Sequence, residues 1–221
     1  MKFFLDTANL DEIREAVSWG VISGVTTNPS LYAKTGGTLA GYEDHMRAIC
    51  AVCDGLPVSA ESCADTTEGM IEDGRRFARI APNIVVKLPV CTEALAATHA
   101  LAQEGISVNM TLVFTVPQAL LAARAGARYI SPFVGRFDDI AEDGVEQLSS
   151  VCTATHNYDF GHEVEIIGAS IRTPNHITQA ALMGCDIATV PFAALKKAVK
   201  HPLTDRGLAS FLEDWKKVEQ A

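Results

Sequence analysis

The chain of 221 residues is 48% hydrophobic and carries a formal net charge of -9. That length and apolar content suffice for one packed core. No basic stripe offsets the charge, which argues against a nucleic-acid partner, but a few local arginines would be enough to bind an anionic substrate.

Met1 runs directly into KFFLDTANLDE, with no secretory h-region and no apolar run long enough to span a bilayer. A cytoplasmic protein without membrane contact is the expectation. The first predicted strand is KFFLD (2–6), followed by the amphipathic LDEIREAVSWG. GVTTN (24–28) is the second and PVSAE (57–61) the third, followed by TTEGMIEDGRRFARIA. The fourth, IVVKL (84–88), threads a lysine into an apolar run and precedes TEALAATHALAQEG. ISVNMT (106–111) is followed by VPQALLAARAG, then come YISPFV (129–134), EIIGAS (165–170) with NHITQAALMG, and IATVP (187–191). A final amphipathic helix is predicted over 203–218, LTDRGLASFLEDWKKV. Several helical stretches end in glycine, a common C-terminal signal.

Strands alternating with helices imply a parallel sheet. Closed on itself, that sheet is a single-domain (β/α)8 barrel spanning 1–221, with the extra C-terminal helix. An open doubly wound sheet is the alternative. It favours a glycine-rich loop after the first strand, where this chain has TANLDE.

Residues two apart on a strand share a face. Phe4 then pairs with Asp6, Thr26 with Asn28, Ser59 with Glu61, and Ser131 with Phe133. Ser107, Asn109 and Thr111 form another set, Gly168 pairs with Ser170, and Thr27 breaks the pattern. Asp6, Asn28, Glu61, Lys87, Thr111 and Ser170 all fall at or near carboxyl ends of strands, where barrels of this kind build their sites. The prediction is one polar cup containing a lysine, two carboxylates, an asparagine and hydroxyls.

A solvated lysine has a pKa of about 10.4, and burial disfavours the ammonium form. A neutral amine attacks a ketone to give a Schiff base, an electron sink for C–C cleavage. Asp6 and Glu61 are candidates for the proton transfers. On local spacing alone, Lys87 fits a structural ion pair with a barrel carboxylate as well. Arg136, after SPFVG, and Arg172, after GASI, suit phosphate oxygens; capping or solvating the rim is the other reading.

No metal or cofactor site is expected. The histidines at 45, 99, 156, 162, 176 and 201 form no ligand-spaced cluster. The cysteines read as reduced thiols, and CAVC (50–53) as helix packing.

Those same stretches resemble a known family. FLDTAN (4–9), GVTTNPSL (24–31), VVKLPV (85–90), NMTLVF (109–114), SPFVGR (131–136), GASIR (168–172) and HPLTDRGLASFLEDW (201–215) look like the short transaldolases, a family that includes the fructose 6-phosphate aldolases. The resemblance implies a metal-free class I aldolase-type barrel with Lys87 as the Schiff-base lysine and Asp6 as acid/base. It implies that Glu61 and Thr111 hold the carbinolamine water. Asn28 and Asn109 would contact a dihydroxyacetone unit beside Ser131 and Ser170, and Arg136 and Arg172 would bind sugar phosphate. The implied reaction moves dihydroxyacetone from sedoheptulose 7-phosphate to glyceraldehyde 3-phosphate, giving erythrose 4-phosphate and fructose 6-phosphate in the pentose phosphate pathway.

The aldolase branch typically has glutamine at the position of Glu61 and tyrosine at that of Phe133; this chain has the transaldolase residue at both. Enzymes for another anionic ketose, such as a sulfonated sugar, and a silent sugar-phosphate binding protein are the remaining readings. The retained Lys87, Asp6 and Glu61 argue against the last. The resemblance also implies a homodecamer of two pentamers. Leu208, Phe211, Leu212 and Trp215 give the final helix an apolar stripe for a neighbour or for its own barrel.

Overall fold

The computed structural model describes residues 1–220. Its strands are β1 (Lys2–Asp6), β2 (Ile22–Thr26), β3 (Val58–Glu61), β4 (Ile84–Pro89), β5 (Val108–Val113), β6 (Tyr129–Pro132), β7 (Glu165–Gly168) and β8 (Ile187–Val190), with helices between them. Each strand pairs in parallel with its sequence neighbours, and β1 pairs with β8 to close the barrel. This is a (β/α)8 TIM barrel, and the open-sheet alternative falls. Among the described residues no helix is long and apolar enough to cross a membrane.

Strand alternation builds two separate apolar clusters. Leu5, Val25, Val86, Leu88 and Met110 face outward and pack under the helices with Ile49, Leu101 and Leu148. Phe4, Val85, Tyr129, Ile167 and Ile187 face inward and fill the barrel. Phe4 needs space on β2: a Cβ at Gly24 would strike its ring, which is why that strand carries a glycine there. One pleat further along come Asp6, Lys87, Ser131 and Thr189 on the same strands and Ala169 just past β7. The inward cluster is therefore a floor, and the next layer up carries the polar groups.

Several boundaries differ from the sequence prediction, each for a local reason. β2 ends at Thr26, because Asn28 is the N-cap of the helix Pro29–Lys34. Its Oδ1 accepts the Leu31 N–H at 2.9 Å, and Pro29 follows in the first turn, where no N–H is needed. β5 starts at Val108 because the Ile106 N–H turns back to the Leu101 carbonyl. It bulges near its end, where Leu112 has φ 55. β7 stops at Gly168, and Ser170 lies beyond it at φ 57 rather than in a strand. Both values fall in the left-handed region, costly for a residue with a Cβ. The last helix runs Pro202–Glu219. It does not bury its stripe on its own barrel: Phe211 is 74% exposed and Trp215 60%.

Candidate active site

Lys87 lies in the middle of β4, two residues above the floor residue Val85, so its amine rises inside the barrel. It is 5% exposed. Nζ donates to the Thr27 carbonyl at 3.0 Å and pairs with Glu61 Oε2 at 3.0 Å. Glu61 reaches it because β3 and β4 register Glu61 directly beside Lys87. The ion pair weighed as the alternative role for the lysine is thus present. It does not seal the amine, because Lys87 also lines a cavity of about 150 Å³ shared with Asp6, Asn28, Ser131, Phe133, Arg136 and Ser170.

Asp6 lines the same cavity. Its Oδ1 accepts from Thr26 Oγ1 at 2.8 Å, and Thr26 shares a second hydrogen bond of 2.6 Å with Thr189. Burial pushes the Asp6 carboxyl above the usual carboxylate range, against the opposing pull of the Lys87 charge and the Thr26 hydroxyl. A carboxyl raised in this way is a stronger base than an ordinary carboxylate, which suits it to take up and return a proton.

A buried amide chain links the strands beneath. Asn109 Nδ2 donates to Ser59 Oγ at 3.1 Å, and Ser131 Oγ donates to Asn109 Oδ1 at 2.7 Å. Asn109 therefore sits under the cavity rather than on its surface. Asn28, with Oδ1 held by the Leu31 N–H, keeps its NH2 group for a ligand. Thr111 is fully buried, and its Oγ1 has no hydrogen-bond partner. An orphan hydroxyl of this kind is commonly satisfied by an ordered water.

Comparison with known proteins gives the same direction. Residues 3–221 match the family described as Transaldolase/Fructose-6-phosphate aldolase. The chain is 55% identical over 217 residues to a probable transaldolase of Thermoanaerobacter sp. (strain X514), covering 98% of each chain. It is 54% identical to one of Halalkalibacterium halodurans, covering 97% of this chain and 99% of the relative. A third, from Thermus thermophilus, is 55% identical over 225 residues, covering 99% and 100%. The chain belongs to the transaldolase/fructose-6-phosphate aldolase family.

Within this family member the two expected arginines are not equivalent. Arg136 lines the cavity and makes no ion pair or side-chain hydrogen bond among the described residues. Arg172 does not line it. Its guanidinium grips Asp139 with both forks, at 2.5 and 2.6 Å, and each partner stabilises the other's charge. Phe133 forms an apolar wall, its ring 5.8 Å from Phe114, which lies 5.6 Å from Phe137.

Sequence reasoning misses Thr189 and the Thr27 carbonyl. Thr189 follows Ile187 by two on β8, so alternation alone points it into the cup. Thr27 breaks the pattern because its side chain leaves the cavity, its Oγ1 donating to the Ser59 carbonyl at 2.7 Å, while its own carbonyl receives the lysine. Cys50 and Cys53 are buried in the helix Tyr42–Cys53, which pushes their thiols up to about 11 and about 12. Among the described residues no three His, Cys, Asp or Glu side chains gather as a metal site.

Proposed function

We propose that this protein is a transaldolase. It transfers a dihydroxyacetone unit from sedoheptulose 7-phosphate to glyceraldehyde 3-phosphate through a Schiff base on Lys87. The observation that carries the reading is the Lys87 amine, buried above an apolar floor, 3.0 Å from one carboxylate and sharing a cavity with another. A purely structural ion pair gives no reason for the cavity or for Asp6.

Glu61, at hydrogen-bond distance, takes the proton that Nζ must lose before attack. The amine then adds to the ketose C2 carbonyl, and the carbinolamine loses water to give the iminium. Asp6 removes the C4 hydroxyl proton, the C3–C4 bond breaks, and its electrons pass to the iminium nitrogen. The aldehyde phosphate leaves. The acceptor aldehyde then adds to the enamine, and Asp6 returns the proton to the new alkoxide. Water opens the imine; the unpartnered Thr111 hydroxyl together with Glu61 supports a water site for that step. Arg136, without a protein partner among the described residues, suits the substrate phosphate.

Phe133 and Glu61 favour transfer over release. An aldolase must also protonate the bound carbanion and free the dihydroxyacetone, and Phe133 offers no hydroxyl to that relay. The test measures two rates side by side: transfer to an added aldehyde phosphate, and release of free dihydroxyacetone from fructose 6-phosphate. Transfer is expected to exceed release, and Phe133→Tyr to raise release relative to transfer. Glu61→Gln is expected to slow transfer, because an amide takes no proton. Release as fast as transfer in the wild type would assign the chain to the aldolase branch instead.

The assembly belongs to the same proposal. The exposed Leu208, Phe211, Leu212 and Trp215 of the helix Pro202–Glu219 support burial against a second copy, and the family resemblance supplies the decamer. Light scattering is expected to give about ten times the chain mass; a monomer would refute it.

A further inference from the structure

Asp6 has two faces. One lines the cavity with Lys87 and Arg136. The other lines a second cavity, of about 260 Å³, between the segments that follow β1, β2 and β8. Its charged groups are Lys34 and Glu12 besides Asp6, with Asn9 and Phe192 among its walls. Glu12 is tied locally, its Oε2 accepting Thr7 Oγ1 at 2.6 Å. The Lys34 side chain makes no hydrogen bond or ion pair among the described residues. It ends the six-residue helix that Asn28 caps, so this one element supplies Asn28 to the first cavity and Lys34 to the second.

The charges around Asp6 differ in one respect. From β4, Lys87 is cationic as ammonium or iminium but neutral as amine and as enamine, so its charge comes and goes within each turnover. Arg136, in the short helix Gly135–Asp138 after β6, is offered to the substrate phosphate, which neutralises it. Glu61 lies beyond Lys87 and is paired to it. The neighbouring strands contribute only the Thr26 and Thr189 hydroxyls. Lys34 is the cation facing Asp6 whose charge neither the imine chemistry nor the phosphate changes. Its field opposes the burial that raises the Asp6 carboxyl.

We propose that Lys34 is a positioning residue for Asp6: from the second cavity its constant positive charge favours the ionised carboxyl as the base for the hydroxyl proton. This rests on the acid/base role of Asp6 proposed above. Nothing in the proposal requires Lys34 to touch substrate.

The test is the pH dependence of kcat/KM for dihydroxyacetone transfer in wild type, Lys34→Met, Lys34→Arg, Lys200→Met and Asp6→Asn. Titration of the substrate phosphate is common to all and cancels in the differences. In Lys34→Met the acid limb is expected to move up by about half a pH unit, as one partly screened charge near a carboxyl would produce. Lys34→Arg should restore the limb, and the shift should shrink in high salt. Lys200→Met removes an exposed charge outside both cavities and should leave the limb in place. An unmoved limb in Lys34→Met with turnover lowered equally at every pH would overturn the proposal in favour of a structural role, as would failure of Lys34→Arg to restore it. Asp6→Asn separates the two claims. If it keeps turnover, the acid/base reading of Asp6 fails and this inference with it; if it loses turnover while Lys34→Met leaves the limb unmoved, this inference alone fails.

Discussion

Two layers of the barrel interior are built from the same strands and differ by one pleat. The lower contains Phe4, Val85, Tyr129, Ile167 and Ile187. The upper contains Asp6, Lys87, Ser131 and Thr189, with Ala169 just past β7. The lower layer is dry packing, closed at β2 by the fit of Phe4 over Gly24. It denies water to the groups above from below, which strengthens every electrostatic interaction among them. The upper layer lines the cavity that holds Lys87 and Asp6, and there the same alternation that buries a phenylalanine presents an amine and a carboxyl. Chemistry and stability therefore separate along each strand, two residues apart.

That separation can be broken from either side. Lys87→Arg, in the upper layer, should lower turnover by about 10³-fold or more, since a guanidinium stays protonated and forms no imine; activity assays and a circular dichroism spectrum report the loss and the kept fold. Phe4→Ala, in the lower layer, should cost about 3–5 kcal/mol of stability, read by denaturant unfolding. Comparable stability losses for the two variants would erase the distinction between layers.

The rim sharpens the comparison. Arg136→Met should raise KM for a phosphorylated acceptor about 10- to 100-fold, as expected for loss of a charge-assisted phosphate contact. Arg172→Met should raise it less, because Asp139 already holds that guanidinium. The smallest effect concerns pH. Burial raises the Asp6 carboxyl, so its base form is lost on acidification sooner than for an ordinary carboxylate. The acid limb of kcat/KM should lie above the usual carboxylate range, and Asp6→Asn should abolish turnover.

What is legible in the sequence follows the same geometry. Period-two alternation puts Asp6, Lys87 and Ser131 on inward faces, whereas the register that sets Glu61 beside Lys87 appears only in the folded sheet. Asn28 reads as strand because its capping role depends on the helix beginning at Pro29, one residue later. Ser170 reads as strand because a left-handed residue leaves no compositional mark unless it is glycine. The pairing of Arg172 with Asp139 is not legible in the sequence, because the two are 33 positions apart and only the closed barrel brings them together. The orphan Thr111 hydroxyl is a fact of packing that no pattern of residue types encodes.

The central claim is that the Lys87 nitrogen becomes covalently bound to the ketose. The direct measurement is reduction with borohydride in the presence of fructose 6-phosphate, followed by peptide mapping by mass spectrometry. The account predicts one reduced three-carbon or six-carbon adduct, on the peptide containing Lys87, absent from Lys87→Arg. An adduct on another lysine, or none with any ketose phosphate while turnover proceeds, would contradict it.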